Sequence, residues 1–235
     1  MNKHTTIAEI AVPLPVDRLF DYAIPRKLMG TIAPGMRVSI IFNKRKMLGY
    51  VTGLSSRILT RKLNPIIAMV DQAPLMSVMN MKLAKEIKDY YVSSFGEIID
   101  TMLPAAIKQS KGITAGFSGR GAYSLKKKTS LLYVQNISDE LLIEFYKTKI
   151  AERIQKKERI LFVVPEVKMI KTLHDSFDKI NGIRIGIWHG QIAKKEMIAL
   201  WHALARNEVD VLIGTRSSIF APLSNLFNAL EHPVA

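Results

Sequence analysis

The second half of the chain limits the possible folds most. Four apolar runs, SLLYV (130–134), ILFVV (160–164), IRIGIW (183–188) and VDVLIG (209–214), alternate with helical patterns at about 138–157, 166–180 and 191–206. A strand that is apolar throughout is buried on both faces, and a helix between successive strands lets them run parallel. The alternation therefore predicts a parallel α/β sheet with helices on both faces. Ligands of such sheets sit at the carboxyl ends of the strands, so the turns after Val134, Val164, Trp188 and Gly214 are candidate sites.

The first half is punctuated differently. TIAEIAVPL (6–14), FDYAI (20–24), MRVSIIF (36–42), MLGYVTGL (47–54) and IIAMV (66–70) are short runs rich in β-branched residues. Pro13, Pro15, Pro25, Pro34, Gly35 and Pro65 separate them. Ser77 reads as the N-cap of a helix to about Val92, with Met81, Ala84, Ile87 and Tyr91 on one face. A second short helix, EIIDTML, stops at Pro104. Residues 1–107 thus read as an α+β module. Residues 108–128 hold four glycines, three serines and six basic residues, and read as a linker or as a basic arm that orders on nucleic acid. Residues 129–235 form the α/β unit.

The net charge of +14 is unevenly spread: twenty Lys and Arg face eight Asp and Glu before Thr129, and fourteen face twelve from there on. A basic first half points to a polyanion, and with no basic amphipathic helix to suit a membrane, to nucleic acid. The plain alternative is a basic surface kept for solubility. The chain has no cysteine, which excludes disulfides and thiolate zinc sites, and its five histidines show no ligand spacing, so no metal is expected. Met1–Thr6 is polar and no apolar run is long enough to span a bilayer, so the expectation is a soluble cytoplasmic protein.

The turns also carry a pattern. VVPEV (163–167), WHG (188–190) and IGTRSSIFAPLSNL (213–226) lie at the ends of three predicted strands. The first half contains AVPLPVDRLFDYAIP (11–25), PGMRVSIIFNKR (34–45), GYVTGL (49–54) and DYYVSSFGEIIDTMLP (89–104). In this order the chain resembles the primosomal protein N′ (PriA) family of replication-restart helicases. The similarity runs over its 3′-DNA-binding domain and its first, RecA-like motor lobe, and covers nearly the whole chain apart from the linker.

The resemblance implies that Phe20, Asp21 and Tyr22, with Asn43 and Asn64, form a pocket for the 3′-terminal nucleotide of a nascent strand at a fork. An aromatic face stacks on any base, and a carboxylate accepts from a 3′-hydroxyl but is a poor phosphate ligand. From the residue pattern alone, Phe20 and Tyr22 are instead core residues with Asp21 toward solvent. The family usually has glycine where Asn43 stands and often lysine where Asn64 aligns. Lys44, Arg45 and Lys46 offer compensating phosphate contacts, or an ordinary charged hairpin. In the second half, Thr215, Arg216 and Ser217 correspond to a motif that grips the DNA backbone, and Val164–Pro165–Glu166 offers main-chain donors at a helix start. Their alternative is a set of topological turns. His189 receives no catalytic role, and Trp188 and Trp201 read as core.

The family's motor requires a glycine-rich phosphate loop with a lysine, and an acidic Mg²⁺-binding motif. The loop's place is Tyr133–Glu140, where Gln135, Asn136 and Ile137 replace the glycines and no lysine precedes Lys147. Ser138 reads as a helix cap, and Asp139 and Glu140 place negative charge in the first turn. The acidic motif would follow Leu226, but FNALEHPVA offers no strand of the expected kind before Glu231–His232, and the second motor lobe with its zinc-binding cysteines is missing.

The expectation is a degenerate, truncated relative that binds DNA in replication restart, recognises forks and 3′ ends, and does not hydrolyse ATP. It has no catalytic residue and no ATP, Mg²⁺ or zinc of its own. Its partners would be DNA and, alongside it, other primosome or single-strand-binding proteins, with no membrane. Two readings stand beside it. One is a fragment of an ATP-dependent 3′-5′ DNA helicase completed by another chain. The other is a protein-interaction scaffold whose basic half meets an acidic partner.

Overall fold

Alternation of apolar and polar residues sets the strands of the first unit. The computed structural model describes residues 4–58, 62–117, 138–223 and 226–231, and divides into units 1–118 and 119–235. In the first unit β1 (His4–Ala11), β2 (Phe20–Ala23), β3 (Arg37–Phe42), β4 (Arg45–Ile58) and β5 (Ala68–Met69) form one antiparallel sheet, in the order β2-β1-β4-β3-β5. Its core includes Ile10, Tyr22, Val38, Ile40, Val51 and Ile66. The two edges are bridged by the chain before β5. Ala23 donates its N–H to the Asn64 carbonyl, Ile66 donates to Ala23, and Ile67 donates to Ser39 on β3. The sheet thereby closes on itself and pairs backbone groups that open edges would expose.

Three helices follow. The first, α1 (Val78–Tyr91), is capped by the Ser77 hydroxyl. The second, α2 (Phe95–Met102), begins two residues before the predicted EIIDTML, at a capping box of Ser94 and Glu97. The third, α3 (Ala105–Lys108), is a single turn after Pro104. The apolar stripe expected on α1 is only partly covered, and Tyr91 is 69% exposed. The helix it packs on, α2, is eight residues long against fourteen, too short to cover the whole stripe.

Residues 108–117, expected in the linker, are part of this unit. Ile113 is fully buried. Gln72 donates to the Ile113 carbonyl, and Phe117 donates to the Pro74 carbonyl. Gly112 and Gly116 lie so close to the Val70 and Pro74 carbonyls that a Cβ at either would collide with backbone. The glycines that suggest flexibility in the sequence are here the condition for two backbones to touch.

The segment is held by a buried ion pair. Arg37 and Asp71 are both fully buried, with Arg37 Nη2 2.6 Å from Asp71 Oδ1. The guanidinium also donates from Nε to Asp71 Oδ2, from Nη1 to the carbonyls of Ile107 and Lys108, and from Nη2 to Ser110 Oγ. All five of its N–H groups are therefore used. Asp71 also accepts from the backbone N–H groups of Arg37 and Ile113. Beside it, Tyr50 donates to Asp100 at 2.7 Å, and burial is the main cause that raises the Tyr50 phenol above its ordinary value.

In the second unit α4 (Asp139–Gln155), β6 (Arg159–Val163), α5 (Val167–Phe177), β7 (Ile185–Trp188), α6 (Lys194–Ala205), β8 (Val211–Gly214) and β9 (Leu226–Glu231) alternate along the chain. The described strands are all parallel, in the order β7-β8-β6-β9. One face carries Ile160, Phe162, Val211 and Ile213 against Tyr146 of α4 and Phe177 of α5. The other meets α6, where Trp201 lies 6.1 Å from Trp188 and Leu200 touches Gly186. Trp188 and Trp201 are core residues, 1% and 0% exposed. The predicted strand 130–134 and the turn 135–137 lie outside the described residues.

The last strand corrects the sequence reading. Residues 226–231 form β9, which pairs parallel with β6 and sets Glu231 in register with Val163. Its apolar run, interrupted by Asn228 and without a β-branched residue, has weak strand propensity; parallel pairing with β6 accompanies the extended form. Among the described residues no helix is long and apolar enough to cross a membrane, and no cluster of His, Asp or Glu is placed to hold a metal ion.

Two substitutions test this core. Asp71→Ala leaves the Arg37 guanidinium buried without its counter-charge, and we expect a loss of about 3–5 kcal/mol in urea denaturation. Ile113→Ala should cost about 2–5 kcal/mol as a core truncation. A linker residue would change stability by only about 0.5 kcal/mol or less.

Candidate nucleic-acid interface

Closure of the first sheet brings three segments together: the start of β2, the turn between β3 and β4, and residues 62–64. They enclose a pocket of about 370 Å³. Phe20, Asp21, Tyr22, Asn43 and Asn64 all line it, joined by Arg18, Phe42 and Lys62. The Ala23–Asn64 hydrogen bond (3.0 Å) holds the 62–64 segment against β2.

The aromatic residues play different structural parts. Tyr22 is 4% exposed and donates its hydroxyl to the Ile41 carbonyl at 2.9 Å, so it is a wall of the pocket with no free stacking face. Burial pushes its phenol above the ordinary value. Phe20 is half-buried and meets Phe42 edge to face, with ring centroids 4.8 Å apart. The Arg18 guanidinium carbon sits 4.8 Å from the Phe20 ring centre.

Asp21 is set by cross-strand pairing. It lies opposite Glu9 in the β1–β2 register, a like-charge pair that is unfavourable by itself. Arg57 offsets it, with Nη2 3.1 Å from Asp21 Oδ1 and 3.7 Å from Glu9 Oε1. Asp21 Oδ2 makes no hydrogen bond among the described residues. The pocket lining thus includes one acid, Asp21, and two exposed cations, Arg18 and Lys62.

The β3–β4 turn accounts for Asn43. Phe42 pairs with Arg45, so the turn has two residues, Asn43 (φ 46°) and Lys44 (φ 62°). Both have the positive φ of a tight hairpin that follows the twist of its strands. Asn is among the few non-glycine residues that tolerate this conformation, so the hairpin forms without a glycine. Lys44, Arg45 and Lys46 are exposed around the turn and do not line the pocket.

In the second unit the predicted backbone-binding residues follow β8. Thr215 donates its N–H to the Trp188 carbonyl, and the Trp188 indole donates to Ser217 Oγ at 3.1 Å. Two of the three residues therefore tie β7 to β8. Arg216 is exposed and forms no ion pair among the described residues. Pro165 and Glu166 are exposed at the start of α5, where the Glu166 side chain caps no backbone N–H and pairs with Lys168 at 2.8 Å, and His189 accepts from the Gln191 N–H within its own turn. At the start of α4, Ser138 caps Leu141. The Glu140 carboxyl is held below its ordinary value, first by its own backbone N–H and then by the Ser138 hydroxyl.

Sequence reasoning missed three residues here: Arg18, Lys62 and Arg57. Arg18 is two residues before Phe20, a spacing that repeats one side of an extended segment. Lys62 and Arg57 owe their places to sheet closure and strand register, which carry no local signal.

Comparisons with known proteins find relatives of this chain. Residues 9–104 match the family model of the PriA 3′DNA-binding domain (3′BD). The replication restart protein PriA of Rickettsia prowazekii is 27% identical over 229 residues, 91% of this chain and 35% of that protein. That of Helicobacter pylori J99 is 23% identical over 154 residues, 62% of this chain and 25% of that protein. That of Thermotoga maritima is 36% identical over 72 residues, 30% of this chain and 10% of that protein. The chain spans about a third of the length of the Rickettsia relative. The pocket sits inside the matched segment, and the chain therefore carries a PriA-like N-terminal 3′-DNA-binding region.

Proposed function

We propose that this chain binds DNA during replication restart by capturing 3′-hydroxyl ends at forks, and that it does so without hydrolysing ATP. The observation that carries the reading is the pocket itself, where an accessible aromatic ring, a carboxylate with one free oxygen and two unpaired cations share about 370 Å³. The base stacks on Phe20, Asp21 Oδ2 accepts the 3′-hydroxyl, and the cations of the 44–46 turn hold flanking phosphates in a sequence-independent way. Arg216 would add a backbone contact from the second unit. Forked DNA is the partner, with other primosome or single-strand-binding proteins beside it.

The absence of hydrolysis is supported at the start of α4. A phosphate-binding helix start needs free N–H groups and positive charge. Here Ser138 occupies a donor, and Asp139 and Glu140 bring two carboxylates to the same turn. A second reading, a motor completed by another chain, is favoured by β9, which carries the parallel sheet as far as Glu231. ATPase activity that arises only on adding a helicase lobe in trans would select it; none with either component selects the binding reading.

Phe20→Ala should weaken binding to a 3′-hydroxyl fork by about 1–3 kcal/mol in anisotropy titrations. Tyr22→Phe should leave affinity unchanged and cost about 1 kcal/mol in stability, the loss of one hydrogen bond. Equal affinity for 3′-hydroxyl and 3′-phosphate forks would sink the end-recognition reading.

Lys44→Gly separates backbone strain from charge. Relief of the left-handed conformation should raise stability by about 1 kcal/mol. Loss of the cation should lower the magnitude of the salt slope of DNA binding by about one unit.

A further inference from the structure

The pocket lining carries charges of both signs, and the end-recognition reading gives a task only to the acid. We propose that Arg18 and Lys62 read the phosphate on the 5′ side of the terminal residue, so that the pocket takes a 3′-hydroxyl nucleotide carrying a 5′ phosphate. Arg18 is the residue that sets this requirement. The proposal rests on the 3′-end reading and adds to it the other half of the ligand.

Charges of both signs in the lining favour one direction for the ligand. Asp21 is the one acid in the lining, and its Oδ1 is already held by Arg57 at 3.1 Å. Arg18 and Lys62 are exposed, line the same pocket, and form no ion pair among the described residues. A nucleotide with its 3′-hydroxyl on Asp21 and its base on Phe20 turns its 5′ phosphate away from the carboxylate and toward the cations. The reverse orientation sets phosphate against carboxylate, which is unfavourable.

Arg18 links phosphate reading to stacking. Its guanidinium rests against the Phe20 ring at 4.8 Å, while Phe42 meets the same ring edge-on. A base that stacks on Phe20 takes the place of Arg18. The cation–π contact at this exposed site is weak, and a phosphate offers the displaced guanidinium two charge-assisted hydrogen bonds. Exchange of ring for phosphate therefore occurs only for a ligand that brings both a base and a phosphate. A bare nucleoside displaces Arg18 and gives it nothing in return.

The test is competition, with the full chain bound to a labelled 3′-hydroxyl fork. A deoxynucleoside 5′-monophosphate should displace the fork at about tenfold lower concentration than the deoxynucleoside, the scale of one charge-assisted contact. The deoxynucleoside 3′-monophosphate should compete no better than the nucleoside. Arg18→Ala should bring the first ratio to within about twofold, and Lys62→Ala should lower it in part; both positions are exposed, and thermal melts check that the fold is kept. Equal competition by 5′-monophosphate and nucleoside, or a ratio unchanged in Arg18→Ala, overturns the proposal. Forks with 3′-hydroxyl and 3′-phosphate ends report on Asp21 separately. If they bind alike while the Arg18-dependent ratio persists, the hydroxyl reading fails and the phosphate assignment stands.

Discussion

The buried Arg37–Asp71 pair governs the geometry of the first unit. Removing two charges from water costs several kcal/mol each, and the structure tolerates this because every guanidinium N–H has an acceptor. The pair also fixes the pocket from a distance. Arg37 opens β3, whose other end carries Phe42 and Asn43; Asp71 follows β5, whose approach carries Lys62 and Asn64. The two segments that meet at the ion pair are the two that oppose β2 across the pocket. The same guanidinium binds Lys108 and Ser110, so residues 108–117 complete the clamp.

Much of this was legible in the residues, for identifiable reasons. Runs rich in β-branched residues located β1 to β4, and caps at Ser77 and Ser138 located their helices, because these signals are local. The segment 108–117 was misread because glycine and serine look the same whether they serve a flexible chain or a close approach. Only Val70 and Pro74, far away in sequence, distinguish the two at Gly112 and Gly116. β9 was missed because Asn228 and Ala229 have weak strand propensity, and pairing with β6 accompanies the strand. For the site, family resemblance pointed to five residues and the fold brought all five together. It did not indicate that Tyr22 is a wall, nor that Arg18 and Lys62 join the lining, since both facts depend on how the sheet closes.

The two units present phosphate with contrasting surroundings. In the first, cations stand unpaired around the pocket while its one carboxylate is partly neutralised by Arg57. On the proposed reading an approaching strand meets attraction at its phosphates and an acceptor only at its terminal hydroxyl. In the second, the α4 start holds its own carboxylates, and the Glu140 backbone N–H, the first cause that lowers its carboxyl, is already engaged. Displacing that internal anion with an external one gains no hydrogen bond and adds repulsion from Asp139.

This contrast bears on why a chain of this kind would keep both units. Thr215 and Ser217 are tied to Trp188, so the turn that offers Arg216 is held rigidly by the sheet core. A rigid turn loses little freedom when it meets a phosphate, and so contributes to binding without any nucleotide-driven motion. On the proposed reading the second unit supplies a fixed backbone contact and the first an end-reading pocket. Affinity then comes from linking two modest contacts along one strand, and specificity from the pocket alone, because only the pocket holds a group that distinguishes a hydroxyl from a phosphate.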